Sequence, residues 1–279
     1  TALLATRGLN LGLDFTGGTS VVVKSEQDLD LDQVRGAVAE RGFSDAIVQQ
    51  YGSAREVSIR VAPTEGVEAD QVGGMVFEAV NAEIDNLELL KVEFVGPQVG
   101  DELRDQSGLA MLMALGLMLV YVWFRFTNKF GVATVAALLH DVIIVLGLFS
   151  LLQWHFDLTV LAAILALIGY SLNDSIVVAD RIRENFRNTR ETDPEKIVND
   201  AINEMLNRTI NTSLTTALVL LALFFFGGEV MRSFSEALLV GIVVGTYSSI
   251  YVVANLIFTL NVTKEDFLVV EKEEIDEMP

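Results

Sequence analysis

LTVLAAILALIGYSLNDSIVVADRIREN (residues 158–185) decides the fold. Its first sixteen residues carry no charge; Asp174 then interrupts an apolar run that resumes through Val178 and Ala179 before Asp180 and Arg181 close it. About 20 such residues are needed to cross the ~30 Å hydrocarbon core of a bilayer. A charged side chain within that core costs about 2.5–3.5 kcal/mol even on lenient insertion scales. At ~1.5 Å of rise per residue, Asp174 lies roughly 24 Å along a helix that begins at Leu158. Snorkelling to the nearer interface is the ordinary structural reading, but an aspartate is too short to do this as Lys or Arg does.

Four further apolar runs flank this one, so the expected spans are 107–126, 130–152, 158–178, 209–226 and 237–260. The 279-residue chain is 51% hydrophobic yet carries a net charge of −19, which suits a protein divided between lipid and water better than one soluble globule. The charge is concentrated upstream, where residues 11–102 hold 18 acidic and 6 basic side chains. So acidic a chain lacks the basic footprint of a nucleic-acid binder. With no cysteine, it has no disulfide, thiolate metal site or thiol nucleophile. Ten Lys and Arg residues lie in 125–129, 181–208 and the tail (Lys264, Lys272), against Arg232 alone on the other side. The positive-inside rule therefore makes 181–208 a cytoplasmic loop, 263–279 an acidic cytoplasmic tail and residues 11–104 external. An external domain at the start of the chain implies something upstream that carried it across, a membrane helix in preference to a cleaved signal peptide. Residues 1–10, opening TALLA, read as the remnant of a sixth, N-terminal span.

The external segment alternates strand and helix signals. LGLDFTGGTSVVVKS (11–25), AIVQQYG (46–52), EVSIRVA (56–62) and KVEFVGP (91–97) read as strands. LDQVRGAVAERG (31–42) and residues 67–90 read as helices, the second loosened by Gly73 and Gly74. The order βαββαβ is that of a ferredoxin-like α+β domain. DFTGG lacks the Lys-Ser/Thr and following helix of a phosphate loop, so it reads as a bent strand or turn.

Polar residues inside the spans nominate a site. Arg208 opens the fourth span from the side where Asp174 lies, which makes it the cation candidate; an interfacial anchor is its ordinary reading. Asn211, Thr212, Thr215 and Thr216 follow on a polar face that belongs against protein or water. His140 and Asp141 sit mid-span, where each must be neutral, paired or in a wet cavity. Adjacent helical residues diverge by about 100°, so they are expected to have different partners. Gly241 and Gly245 form a small-xxx-small helix-packing motif without chemistry.

GLDFTGGT (12–19), EFVGP (93–97), GYSLNDSIVVADRIREN (169–185) and NRTINTS (207–213) together resemble the SecF family of protein-export membrane subunits, in the resistance–nodulation–division superfamily. The resemblance covers essentially the whole chain. It implies a bacterial inner-membrane protein with a periplasmic domain, paired with SecD and using the proton-motive force to assist translocation of unfolded polypeptide through SecY/SecE/SecG. It also implies YajC and YidC as accessory partners and protons as the coupling ion, with no cofactor or metal. The family links the residues at Asp174 and Arg208 to proton conduction, and the His140-Asp141 pair also fits its pattern. Three other readings compete: half of another exporter of this superfamily for lipid or drug, a passive assembly subunit, and an intramembrane aspartyl protease. The protease is disfavoured because GYSLND is not the GxGD of such enzymes.

Overall fold

The computed structural model describes residues 2–63, 69–84, 86–126 and 128–262. The chain divides into two compact units, one formed by Arg7–Met111 with Phe149–Leu161 and the other mainly by Leu112–Leu148 and the residues from Ala162 onward. The tail expected at 263–279, with Lys264 and Lys272, lies outside the described residues.

After helix α1 (Ala2–Arg7), the first unit opens with a two-residue strand β1 (Asn10–Leu11) and a single helical turn α2 (Leu13–Thr16). The strand expected over 11–25 is therefore shortened to β2 (Gly18–Lys24). Two glycines make the break: Gly17 has φ +66° and Gly18 φ +119°, and a Cβ on Gly18 would lie 2.3 Å from the Val61 carbonyl oxygen. Then follow α3 (Leu31–Glu40), β3 (Ile47–Tyr51), β4 (Ser53–Val61), α4 (Ala69–Glu83) and β5 (Glu88–Val95). The sheet order is β3-β4-β2-β5 with every neighbouring pair antiparallel, so β2 and β3 run parallel on either side of β4. This is the ferredoxin-like split βαβ arrangement. Asp30 caps α3 by accepting from the Asp32 amide, and Val34 and Val38 on that helix are completely buried. They join Val21, Val23, Val57, Ile59, Val76 and Val80 in one aliphatic core. Each such burial contributes about 1.5–3 kcal/mol. Gly73 lets α4 approach β5, since a Cβ there would meet Val92 at 2.8 Å. The helix expected to run to residue 90 stops at Glu83, where Asn86 turns left-handed (φ 60°) and frees Leu87 onward for β5.

Among the described residues, five helical segments are long and apolar enough to cross a membrane. They are α5 (Pro97–Arg125), α6 (Asn128–Leu152), α7 (Leu158–Asn188), α8 (Pro194–Phe226) and a composite of α9 (Gly228–Tyr247), a π-helical turn (Ser248–Val252) and α10 (Val253–Thr259). A short strand β6 (His155–Phe156) separates α6 from α7. α5 starts ten residues before the expected span, at a proline suited to the first helical turn. Residues 181–208, expected as a loop, are mostly helical, because α7 runs to Asn188 and α8 begins at Pro194. Asp193 caps α8 by accepting from Glu195 N at 3.1 Å. Arg181 ties the two helices together through Glu204 at 2.6 Å. In the second unit Phe130, Ala133, Ala137, Val178, Ala179, Ile182, Ala201, Val253 and Ile257 form the core. At its charged end Asp180 holds both Arg125 (3.1 Å) and Arg183, and each guanidinium lies over the Phe126 ring.

Candidate functional site

The polar residues of the second unit meet in one buried seam, but with partners the spacing did not foretell. Asp174 on α7 is only 9% exposed. Its Oδ2 accepts from the Ser249 hydroxyl at 2.5 Å, and its Oδ1 from the Thr209 hydroxyl at 3.2 Å. Arg208, the cation candidate, is exposed and makes no ion pair with Asp174 among the described residues. Residues 208 and 209 point about 100° apart, and the buried stripe of α8 carries Thr209, Ser213 and Leu220. Thr209 therefore takes the contact expected of Arg208. The polar face at Asn211, Thr212 and Thr215 is exposed within this chain. The hydroxyls of Thr212, Thr215 and Thr216 donate back to the carbonyls of Arg208, Asn211 and Thr212 at 2.9–3.1 Å, which lowers their desolvation cost.

Asp141 on α6 is fully buried. The expectation that His140 and Asp141 have separate partners fails: His140 Nδ1 lies 2.9 Å from Asp141 Oδ1. The 100° divergence fixes the Cα–Cβ directions, but the imidazole reaches back across its neighbour. The other carboxylate oxygen, Oδ2, accepts from Ser171 on α7 at 2.5 Å. Ser171 lies one turn before Asp174, so one face of α7 carries both Asp174 and the serine that donates to Asp141. A Cβ on Gly241 would press into Leu167 at 2.6 Å, so α9 passes close to α7 there. Gly245 does more than pack. A Cβ on it would lie 3.4 Å from Ser171 Cβ and 3.7 Å from Asp141 Oδ2, so this glycine borders the polar cluster.

The remaining members of the seam are small hydroxyls that sequence reasoning missed. Ser213 meets Thr246 at 2.6 Å and Tyr170 at 3.2 Å, and Ser248 reaches the Ala137 carbonyl at 3.5 Å. The π turn delivers this last group. Val253 N–H bonds to Ser248 O, five residues back, and Ser248 and Ser249 are both buried. Such turns recur at functional sites. The available signal was the recurrence of Ser and Thr three or four residues apart in three apolar spans: Ser171/Ser175, Thr209/Ser213 and Thr246/Ser249.

The first unit contains a second cluster, built around the DFTGG stretch. Asp14 Oδ2 accepts from the Leu158 amide at 3.0 Å, at the N-terminus of α7. Asp157 Oδ1 accepts from Val160 N (2.9 Å) and the Thr159 hydroxyl (2.6 Å) on that same first turn. Both carboxylates favour the positive end of the helix dipole. β1 pairs in parallel with β6, Asn10 opposite His155 and Leu11 opposite Phe156. Arg60 on β4 completes the arrangement by donating to Leu11 O (2.8 Å), Asn10 Oδ1 (2.9 Å) and Gln49 Oε1 (3.0 Å). Burial pushes this guanidinium down to about 10.

Residues 76–263 match the family model described as protein export membrane protein SecD/SecF, C-terminal, and residues 2–28 match the SecD/SecF GG motif. The chain is 48% identical to the protein translocase subunit SecF of Vibrio alginolyticus over 99% of its own length and 89% of that protein's. It is 43% identical to the Escherichia coli O157:H7 subunit SecF over 99% of this chain and 86% of the relative. Among solved structures, crystalline SecDF from Thermus thermophilus, described as a translocon-associated membrane protein, superposes with a TM-score of 0.82 at 43% identity. The match covers 92% of this chain but only 35% of that longer one. A super-membrane-facing form of SecDF matches over the same shares with a TM-score of 0.66. With five membrane-length helices and a ferredoxin-like α+β domain already described, the chain belongs to the SecD/SecF family of protein export membrane proteins, on its SecF branch.

Proposed function

We propose that this chain is the SecF half of a proton-driven export complex, with Asp174 as the carboxyl group that loads and releases the proton. One observation carries the reading: a buried carboxylate within an apolar, membrane-length helix lies between two hydroxyls, and among the described residues no cation is in contact with it. Hydroxyls serve both states of such a group, donating to the carboxylate and accepting from the acid. A fixed guanidinium would hold it ionised. Each proton that crosses supplies about 2.3 kcal/mol per 100 mV. That suffices to bias two conformations a few kcal/mol apart. SecD is the partner, consistent with the fused SecDF relative. The exposed stripe of Asn207, Arg208, Asn211, Thr212 and Thr215 is the surface on which a second subunit would bring its own polar groups. Arg208 then acts toward that seam rather than as a standing partner of Asp174. The α+β domain faces the periplasm, the 189–193 side faces the cytoplasm, and the work is done on unfolded polypeptide at SecY/SecE/SecG, with YajC and YidC as accessories. The protein is not an enzyme, and protons are its coupling ion.

The test is Asp174→Asn in the SecD-containing complex, with proton flux and export measured together in vesicles. The amide keeps the shape but cannot carry a proton. Both activities are expected to disappear while assembly persists. Undiminished flux would return the chain to a passive assembly role.

A further inference from the structure

Ser249 has two acceptors within reach and one proton to give. Its hydroxyl lies 2.5 Å from Asp174 Oδ2 and 3.1 Å from the carbonyl oxygen of Thr246, three residues earlier on its own helix. Asp174 and Ser249 are both buried, and Thr246 is half-buried. Its placement comes from the π turn, whose extra residue brings Ser249 towards α7 while Ser248 points to Ala137 on α6. Among the described residues the other hydroxyl in contact with Asp174, Thr209, donates to Asp174 Oδ1 and has no second acceptor.

We propose that Ser249 is a positioning residue that reads the charge of Asp174 by switching its proton between the carboxylate and the Thr246 carbonyl. With Asp174 ionised, Ser249 O–H donates to Oδ2. When a proton arrives on Oδ2, the acid O–H donates to Ser249 Oγ, and the Ser249 proton turns to the Thr246 carbonyl. No covalent bond to Ser249 forms or breaks, and the hydroxyl keeps its proton throughout. The π turn thus holds a different hydrogen-bond pattern in each state, which links the carboxyl group to the backbone of the α9–α10 span. Ionised Asp174 gains a donor that the neutral acid does not need, so Ser249 also sets the pH at which the site loads.

The inference rests on Asp174 titrating, so the experiment reads that titration directly. Infrared difference spectra of the SecD-containing complex, with Asp174→Asn identifying the band, follow the protonated carboxyl of Asp174 against pH. Ser249→Ala is expected to move the midpoint upward by about one pH unit, a tenfold change in proton affinity, with the flux profile following. Ser248→Ala removes the neighbouring hydroxyl of the same turn, with equal loss of volume and no contact to Asp174, and is expected to leave the midpoint unmoved. An unchanged midpoint in Ser249→Ala, or equal shifts in both variants, overturns the proposal while leaving Asp174 as the proton carrier. If no Asp174 band titrates in the wild type, the proton-carrier reading fails, and this one with it.

Discussion

Gly241 offers a sharp test of how the membrane helices are packed. A Cβ at this position would lie 2.6 Å from both methyl carbons of Leu167 and 3.0 Å from its Cγ. Ordinary contact begins near 3.4 Å, so Leu167 must retreat by most of an ångström. It cannot do so freely, because it is completely buried. Overpacking of this kind costs about 1–3 kcal/mol. Against this stands the gain of up to about 1 kcal/mol from replacing a helical glycine by alanine. Gly241→Ala should therefore lose up to about 2 kcal/mol net once the full alanine gain is subtracted. Gly169 and Gly147, where a Cβ meets nothing within 4 Å, serve as controls: their alanine variants should gain up to about 1 kcal/mol. Reversible unfolding in mixed micelles, followed by helical circular dichroism, measures all three. Leu167→Ala will be destabilising alone, but combined with Gly241→Ala it should cost less than the sum of the two, by at least 1 kcal/mol. A Gly241→Ala protein as stable as the Gly169→Ala control, or strict additivity in the double variant, would refute the packing argument.

Two further outcomes follow from the sites described. Burial, then the charge of Arg60, holds the His155 imidazole below its usual range, only partly countered by Asp157, Asp14 and Glu93. A folded-state value depressed in this way gives stability that is complete above the unfolded value near 6.5 and lost as pH falls through the folded one. Amide exchange at Gly12, whose N–H donates to Phe156 O at 2.8 Å, should therefore become less protected between pH 7 and pH 5 after correction for intrinsic rates. His155→Gln should abolish that dependence, and equal wild-type protection at both pH values would count against it. For orientation, single cysteines at Ser53 and Asn188 in this cysteine-free chain should label from opposite faces of the membrane, Ser53 from the periplasm. Labelling of both from one side would reverse the topology.

The sequence made the architecture legible wherever one physical rule dominated. Hydropathy located five spans, because lipid permits little else over twenty residues. Alternation and turn residues marked the four strands of the sheet. Element ends were less legible where the deciding contact lies elsewhere in the chain. α8 extends well upstream of its apolar run because Asp193 caps it and Glu204 pairs with Arg181 on α7. At the site, Asp174 and Asp141 stand out because charge in an apolar run is conspicuous. Their partners do not, since a serine or threonine is unremarkable in a membrane helix. Choosing Thr209 over Arg208 required the rotational phase of α8 about its axis, which a polar face on the opposite side disguised. The π turn at Ser248–Val252 had no sequence signal of its own, because it shifts phase without changing composition.

The clamp at the start of the chain has a consequence for how the protein is made. Gly8, Asn10 and Asp14 find their partners at Ser150, Gln153 and Leu158, 142 to 144 residues later. At ribosomal speeds of about 5–20 residues per second, roughly 7–30 s separate the synthesis of the two halves of this contact. The sheet and its two helices need only residues 18–95 and can form within that interval. Residues 8–16 must wait, with Asp14 solvated and β1 unpaired, until two membrane helices have emerged and the turn between them has appeared. Closure of the segment therefore reports that the end of α6 and the start of α7 have been delivered to the same side of the membrane as the domain. The glycine-rich opening is a late latch in biogenesis, set by chain order and engaged only when insertion has succeeded.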